Sequence, residues 1–183
     1  MLRKILDNVE KKILSSEKLK KFHPLHDALD TFLYTKNSQT ERAPYIRDSI
    51  DLKRTMILVV LALLPAFFFG TYNVGLQSPE VINKDFIVCF LYGLKIVLPM
   101  YLVVFTVGGL CEALFAVIRG HEINEGFIVT GFLIPLTMPP TVPLWMLALA
   151  TIFGVVIGKE LFGGTGYNIF NPALTARAFL FFS

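Results

Sequence analysis

The sequence predicts an all-α, polytopic membrane protein with a basic N-terminal tail, and three observations carry that prediction. Hydrophobic residues make up 54% of the chain and charged ones only 17%, with a mean hydropathy of +0.61; ordinary soluble domains carry about 25% charged residues. The charges are also unevenly placed. Residues 1–55 hold twelve of the 17 Lys and Arg and eight of the 14 Asp and Glu, which leaves a nearly uncharged body long enough to cross a bilayer several times. That body is cut into apolar runs by polar or Pro/Gly-rich segments. A basic head on an apolar body fits a cytoplasmic face beside anionic lipid and argues against a nucleic-acid partner.

Residues 1–54 form the tail. Leu2, Ile5, Leu6, Val9 and Ile13 recur at helical spacing with Arg3, Lys4, Lys11 and Lys12 on other faces, the pattern of an amphipathic helix lying on lipid or on a partner. The charged start lacks the apolar core of a signal peptide. Pro24 and Pro44 interrupt any long helix further on. Residues 55–183 form the transmembrane region, of about four spans. The first is expected at 55–72, with Lys53 and Arg54 before it. The second, 86–118, exceeds the ~20 residues of one upright crossing, so it is either one long tilted helix or one broken near Pro99 or Gly108-Gly109. The third, 126–138, is half a span stopped by Pro139-Pro140, and the fourth is expected at 144–158. An incomplete helix starts at Pro172. With alternating spans the tail, Arg119 and Lys159 share one side and Lys84 lies on the other, which makes the N-terminus cytoplasmic. Short, Pro/Gly-interrupted apolar segments mark discontinuous helices of transport proteins.

Glu112 is the most informative single position. It sits in V-G-G-L-C-E-A-L-F, where an ionised carboxylate costs at least ~2.5 kcal/mol unless a cation, a proton or a basic group offsets it. The competing reading is a solvated carboxylate near Arg119. Lys95 poses the same question, with snorkelling as the alternative. Gly108 and Gly109 permit close approach of a flat ligand or of another helix. His121, Glu122, Asn124 and Glu125 form a polar loop without the second histidine of a zinc-protease motif. Cys89 and Cys111 form no C-x-x-C pair, so no resident metal is expected. In F-G-G-T-G-Y-N-I-F-N-P-A-L-T-A-R, Gly163, Gly164, Thr165 and Gly166 suit a tight turn. Asn168 and Asn171 follow it, Asn171 is placed to cap a helix beginning at Pro172, and Arg177 lies one and a half turns on. This segment is either a turn-and-cap or a place of ligand contact.

Four blocks carry a resemblance: R-D-S-I-D-L-K-R-T-M (Arg47–Met56), G-T-Y-N-V-G (Gly70–Gly75), H-E-I-N-E-G-F (His121–Phe127) and G-G-T-G-Y-N-I-F-N-P-A-L-T-A-R-A-F-L-F-F. From end to end the chain resembles the B-subunit family of the sodium-translocating NADH:quinone reductases. The last block is similar in outline to the D subunit of the Rnf electron-transfer complex, which makes an Rnf-type subunit the alternative, beside a passive channel-like or accessory membrane subunit. The resemblance implies the first half of a urea-transporter-like inverted-repeat bundle. It further implies a six-subunit complex of the bacterial inner membrane that passes electrons from NADH to ubiquinone and exports sodium. Glu112 would match an acid of sodium uptake, the transported Na+ being its only metal. Gly108 and Gly109 would match a quinone and inhibitor region. The family carries FMN on a threonine of an S-G-A-T-like motif, and riboflavin besides. This chain has no such motif; Thr165 and Thr175 do not fit it, and the family's site would lie beyond Ser183. The chain is therefore expected to be truncated and inactive by itself.

Overall fold

The computed structural model describes residues 52–82, 84–120 and 126–183. Among these residues five α-helices follow one another: α1 (Leu52–Gln77), α2 (Phe86–Arg119), α3 (Gly126–Thr137), α4 (Leu144–Val156) and α5 (Pro172–Phe182), with a 3-10 turn at Glu160–Phe162 between the last two. No strand occurs among the described residues. The amphipathic helix expected in the tail, and the loop of His121, Glu122, Asn124 and Glu125, lie outside the described residues.

Among the described residues three stretches, Thr55–Gln77, Phe86–Arg119 and Leu144–Phe162, are long and apolar enough to cross a membrane by length and composition. The chain is thus a multi-pass membrane protein. Its surface agrees: Phe69, Leu91, Leu110, Trp145 and Leu174 are all exposed, as side chains facing lipid must be. At about 1.5 Å per residue, the 34-residue α2 outspans a ~30 Å hydrocarbon core. It runs unbroken through Pro99 and through Gly108-Gly109. The helix α1 continues past the apolar run into T-Y-N-V-G-L-Q.

Two compact units divide the chain, and residues 112–120 belong to a different one from residues 52–111 and 126–183. In the larger unit, α1 and α2 form a hairpin packed backbone to backbone. A Cβ on Gly75 would overlap the carbonyl of Cys89, and one on Gly93 the carbonyl of Thr71. Small residues at these two levels are what permit that approach. In the connection, the Tyr92 hydroxyl donates to Glu80 Oε2 at 2.5 Å.

The core of this unit lies around α3, α4 and α5. Met100 and Val104 of α2 pack with Ile134, Met138, Leu147, Ala150, Ala173 and Ala176. The α4–α5 contact again depends on glycine: a Cβ at Gly154 would stand 2.5 Å from the Pro172 carbonyl oxygen and 2.8 Å from Ala176 Cβ. Phe153 and Phe179 stack across it at 4.7 Å. Beside the core runs an aromatic column of Phe67 (α1), Tyr101 and Phe105 (α2), and Phe127 and Phe132 (α3), with ring centroids 5.2–6.4 Å apart. The Tyr101 hydroxyl donates to the Phe132 carbonyl at 3.3 Å.

Candidate functional site

The candidate residues fall at separate places along the helices. Glu112 lies in α2 four residues after Gly108 and is only 5% exposed. That burial keeps the carboxylate away from solvent, within a helix of apolar composition. Further along α2, the Arg119 guanidinium stands over the Phe115 ring at 5.3 Å, a cation–π contact. Lys95 is exposed on the face of α2 that also presents Leu91, Leu98 and Leu102.

Gly108 and Gly109 differ sharply in what surrounds them. Gly108 is buried, and a Cβ there would meet the Phe127 ring at 2.5 Å and Thr151 Cγ2 at 3.2 Å. The ring of Phe127 fills the space that the missing side chain leaves. Gly109 is half-buried, and the nearest atom to its added Cβ is Phe127 Cε1, 3.8 Å away. Close approach at this pair is therefore helix packing at Gly108, with ordinary room at Gly109.

The segment from Gly163 to Arg177 is a folded turn, and most of the polar groups in it have a traceable task. Gly163, Gly164 and Gly166 take φ of 119°, 92° and 93°, a left-handed region that strongly favours glycine. The amides of Gly163 and Gly164 donate to the carbonyls of Glu160 and Lys159 at 3.1 and 3.2 Å. Asn168 clamps the turn from both ends of its amide: Oδ1 accepts from Gly166 N at 3.2 Å, and Nδ2 donates to the Phe170 carbonyl at 2.9 Å. Asn171 caps α5 by accepting from the amides of Ala173 and Leu174 at 3.0 and 3.4 Å, with Pro172 at the first helical position. Thr165 packs against Gly126, where a Cβ would stand 2.6 Å from its methyl carbon. Arg177 reaches across to α3 and donates from Nη1 to the Thr137 carbonyl.

One polar pair escapes a reading of the sequence. Lys159 and Glu160, 2% and 3% exposed, lie at the end of α4 with Nζ 3.8 Å from Oε1. Lys159, one of the charges that assign the cytoplasmic side in the sequence, is folded inward near the glycine turn, whose Gly164 lies against the Glu160 carboxylate. An adjacent Lys-Glu closing an apolar run and followed directly by a glycine turn was the signal available. The aromatic column also went unseen, because its rings come from three helices.

Comparison with known proteins gives this arrangement a family. The chain is 48% identical to a protein of Pseudomonas paraeruginosa named as the B subunit of a Na(+)-translocating NADH-quinone reductase, over all of the chain and 51% of that protein. It is 47% identical to proteins of the same name from Chlamydia pneumoniae and Chromohalobacter salexigens, again over all of the chain and 41% and 50% of them. The chain thus spans about half the length of the curated relatives it matches. The model of the NQR2, RnfD, RnfE family matches residues 39–183, and the chain belongs to that family.

Proposed function

We propose that this chain serves as a membrane subunit of a sodium-translocating NADH:quinone reductase. The observation that carries this reading is the identity of 47–48% along the whole chain to relatives bearing that name. The complex is a six-subunit assembly of the bacterial inner membrane that passes electrons from NADH to ubiquinone and exports sodium. The chain enters it with a cytoplasmic N-terminus, as the first half of a urea-transporter-like bundle. Glu112 takes part in sodium uptake, a role its burial supports, since a cation arriving at a buried carboxylate offsets its desolvation. Gly108 and Gly109 border the quinone and inhibitor region, with Gly108 acting through the Phe127 ring.

The flavin belongs to the complex rather than to a threonine described here. A phosphoester-linked FMN needs a hydroxyl free to carry it. The Thr175 hydroxyl donates to the Asn171 carbonyl at 2.9 Å inside the first turn of α5, and the Thr165 hydroxyl is buried against Gly126. Neither fits, and the amides of Asn168 and Asn171 are engaged by the turn itself. What this chain's residues supply is a buried acid, a rigid glycine turn and an aromatic column.

Deleting the gene and assaying the membranes tests the proposal. Sodium-stimulated NADH:quinone activity is expected to vanish and to return on complementation. Membranes that keep the full sodium-stimulated activity after deletion contradict it.

A further inference from the structure

Two prolines strip the C-terminal end of α3 of its donors. In a continuing helix the carbonyls of Pro135 and Leu136 would accept from the amides of residues 139 and 140, but both are proline and have no N–H. Part of the loss is made good locally. The Met138 amide donates to the Pro135 carbonyl at 3.3 Å, and the Thr137 hydroxyl turns back onto the Ile134 carbonyl at 3.0 Å. The Thr137 carbonyl accepts from a different helix altogether, through Arg177 Nη1.

Position and charge make that contact unusual. The 12 residues of α3 rise only about 18 Å. A helix that follows directly on the polar sequence H-E-I-N-E is therefore shorter than a ~30 Å hydrocarbon core. Arg177 is the sixth residue of α5, P-A-L-T-A-R-A-F-L-F-F, a helix with no other charge. No carboxylate among the described residues forms an ion pair with it. Its charge is met instead by the carbonyl end of α3, where the helix dipole is negative. A guanidinium and a bare sodium ion ask for the same thing there: carbonyl oxygens at the end of an interrupted helix, the arrangement that coordinates Na+ in transporters with broken helices. The Arg177 side chain is exposed, so it has room to swing away.

We infer that Arg177 is a tethered cation at the carbonyl end of α3, holding the place a monovalent cation would take and so setting cation access there. The inference rests on the sodium-translocating role proposed for the complex. While the guanidinium holds the Thr137 carbonyl, a second cation is kept out by like-charge repulsion and by loss of that oxygen. When it leaves, the Thr137 carbonyl is released to a sodium ion at the carbonyl end of α3. Arg177 is in this sense a specificity-determining residue and not one that touches electrons.

The test uses the full-length protein in its assembled, purified complex, with R177Q and R177K, and follows NADH:quinone turnover against sodium and lithium concentration. R177Q is expected to lower the half-saturating sodium concentration about fivefold or more and to narrow the preference for sodium over lithium. R177K keeps the charge and is expected to stay near the wild-type curve. A wild-type sodium curve in R177Q overturns the inference, as does a curve in R177K displaced as far as that of R177Q. Where R177Q fails to assemble, R177K decides: an unmoved curve supports a role of charge, a displaced one removes it. A wild-type complex indifferent to sodium is a separate result, which overturns the function proposed for the complex.

Discussion

Gly108 and Gly109, adjacent in α2, present opposite surroundings, and that contrast gives the sharpest prediction at the residue scale. Gly108→Ala puts a methyl into the Phe127 ring and against Thr151; overpacking of this kind costs about 1–3 kcal/mol. Gly109→Ala adds its methyl at ordinary contact distance, 3.8 Å from Phe127 Cε1, and gains helix propensity. Thermal unfolding of the purified complex separates them: the first variant melts lower, and the second is unchanged or slightly higher. Residues whose task is local were legible in the sequence. Asn171 before Pro172 announces a cap, and three glycines announce a turn, because those tasks depend on neighbours in the chain. Phe127 and the Lys159–Glu160 pair were not legible in this way. Their surroundings come from helices far apart in sequence, and a buried lysine looks the same on paper as a solvated one.

At the scale of the element, hydropathy located the helices but blurred their ends. The first apolar run stops near Tyr72, yet α1 continues to Gln77. Asn73 and Gln77 stay helical and share a side-chain hydrogen bond at 3.2 Å, while Gly75 packs on Cys89. The long run after Phe86 left open whether it breaks. It does not, since a proline within a packed membrane helix is tolerated and the glycine pair is filled by Phe127. The cap on α5 yields a second prediction. Asn171→Ala removes the acceptor for two amides and costs about 1 kcal/mol, seen as a lowered melting temperature and faster proteolysis of the Gly163–Gly166 turn. Asn171→Asp, which keeps an acceptor, restores most of it.

For the whole molecule, the class of protein was written in the composition, and the apolar runs coincide with helices among the described residues. Orientation is a matter for experiment. In a background with Cys89 and Cys111 replaced by serine, Lys84→Cys is expected to react with a membrane-impermeant thiol reagent only from the periplasmic side. A cysteine in the N-terminal tail is expected to react only from the cytoplasmic side. Labelling of both from one side contradicts the cytoplasmic N-terminus. What the sequence could not supply is which polar groups meet in space. Glu112 carries the central claim, because it is an acid at 5% exposure within an apolar helix, the position proposed for sodium uptake. The most direct measurement is NADH-driven uptake of radioactive sodium into inside-out vesicles carrying the full-length protein, wild type against Glu112→Gln. Uptake and sodium-dependent turnover that fall together in the variant, in a complex still assembled at normal yield, are the predicted result. Undiminished sodium uptake by the Glu112→Gln complex would contradict the account.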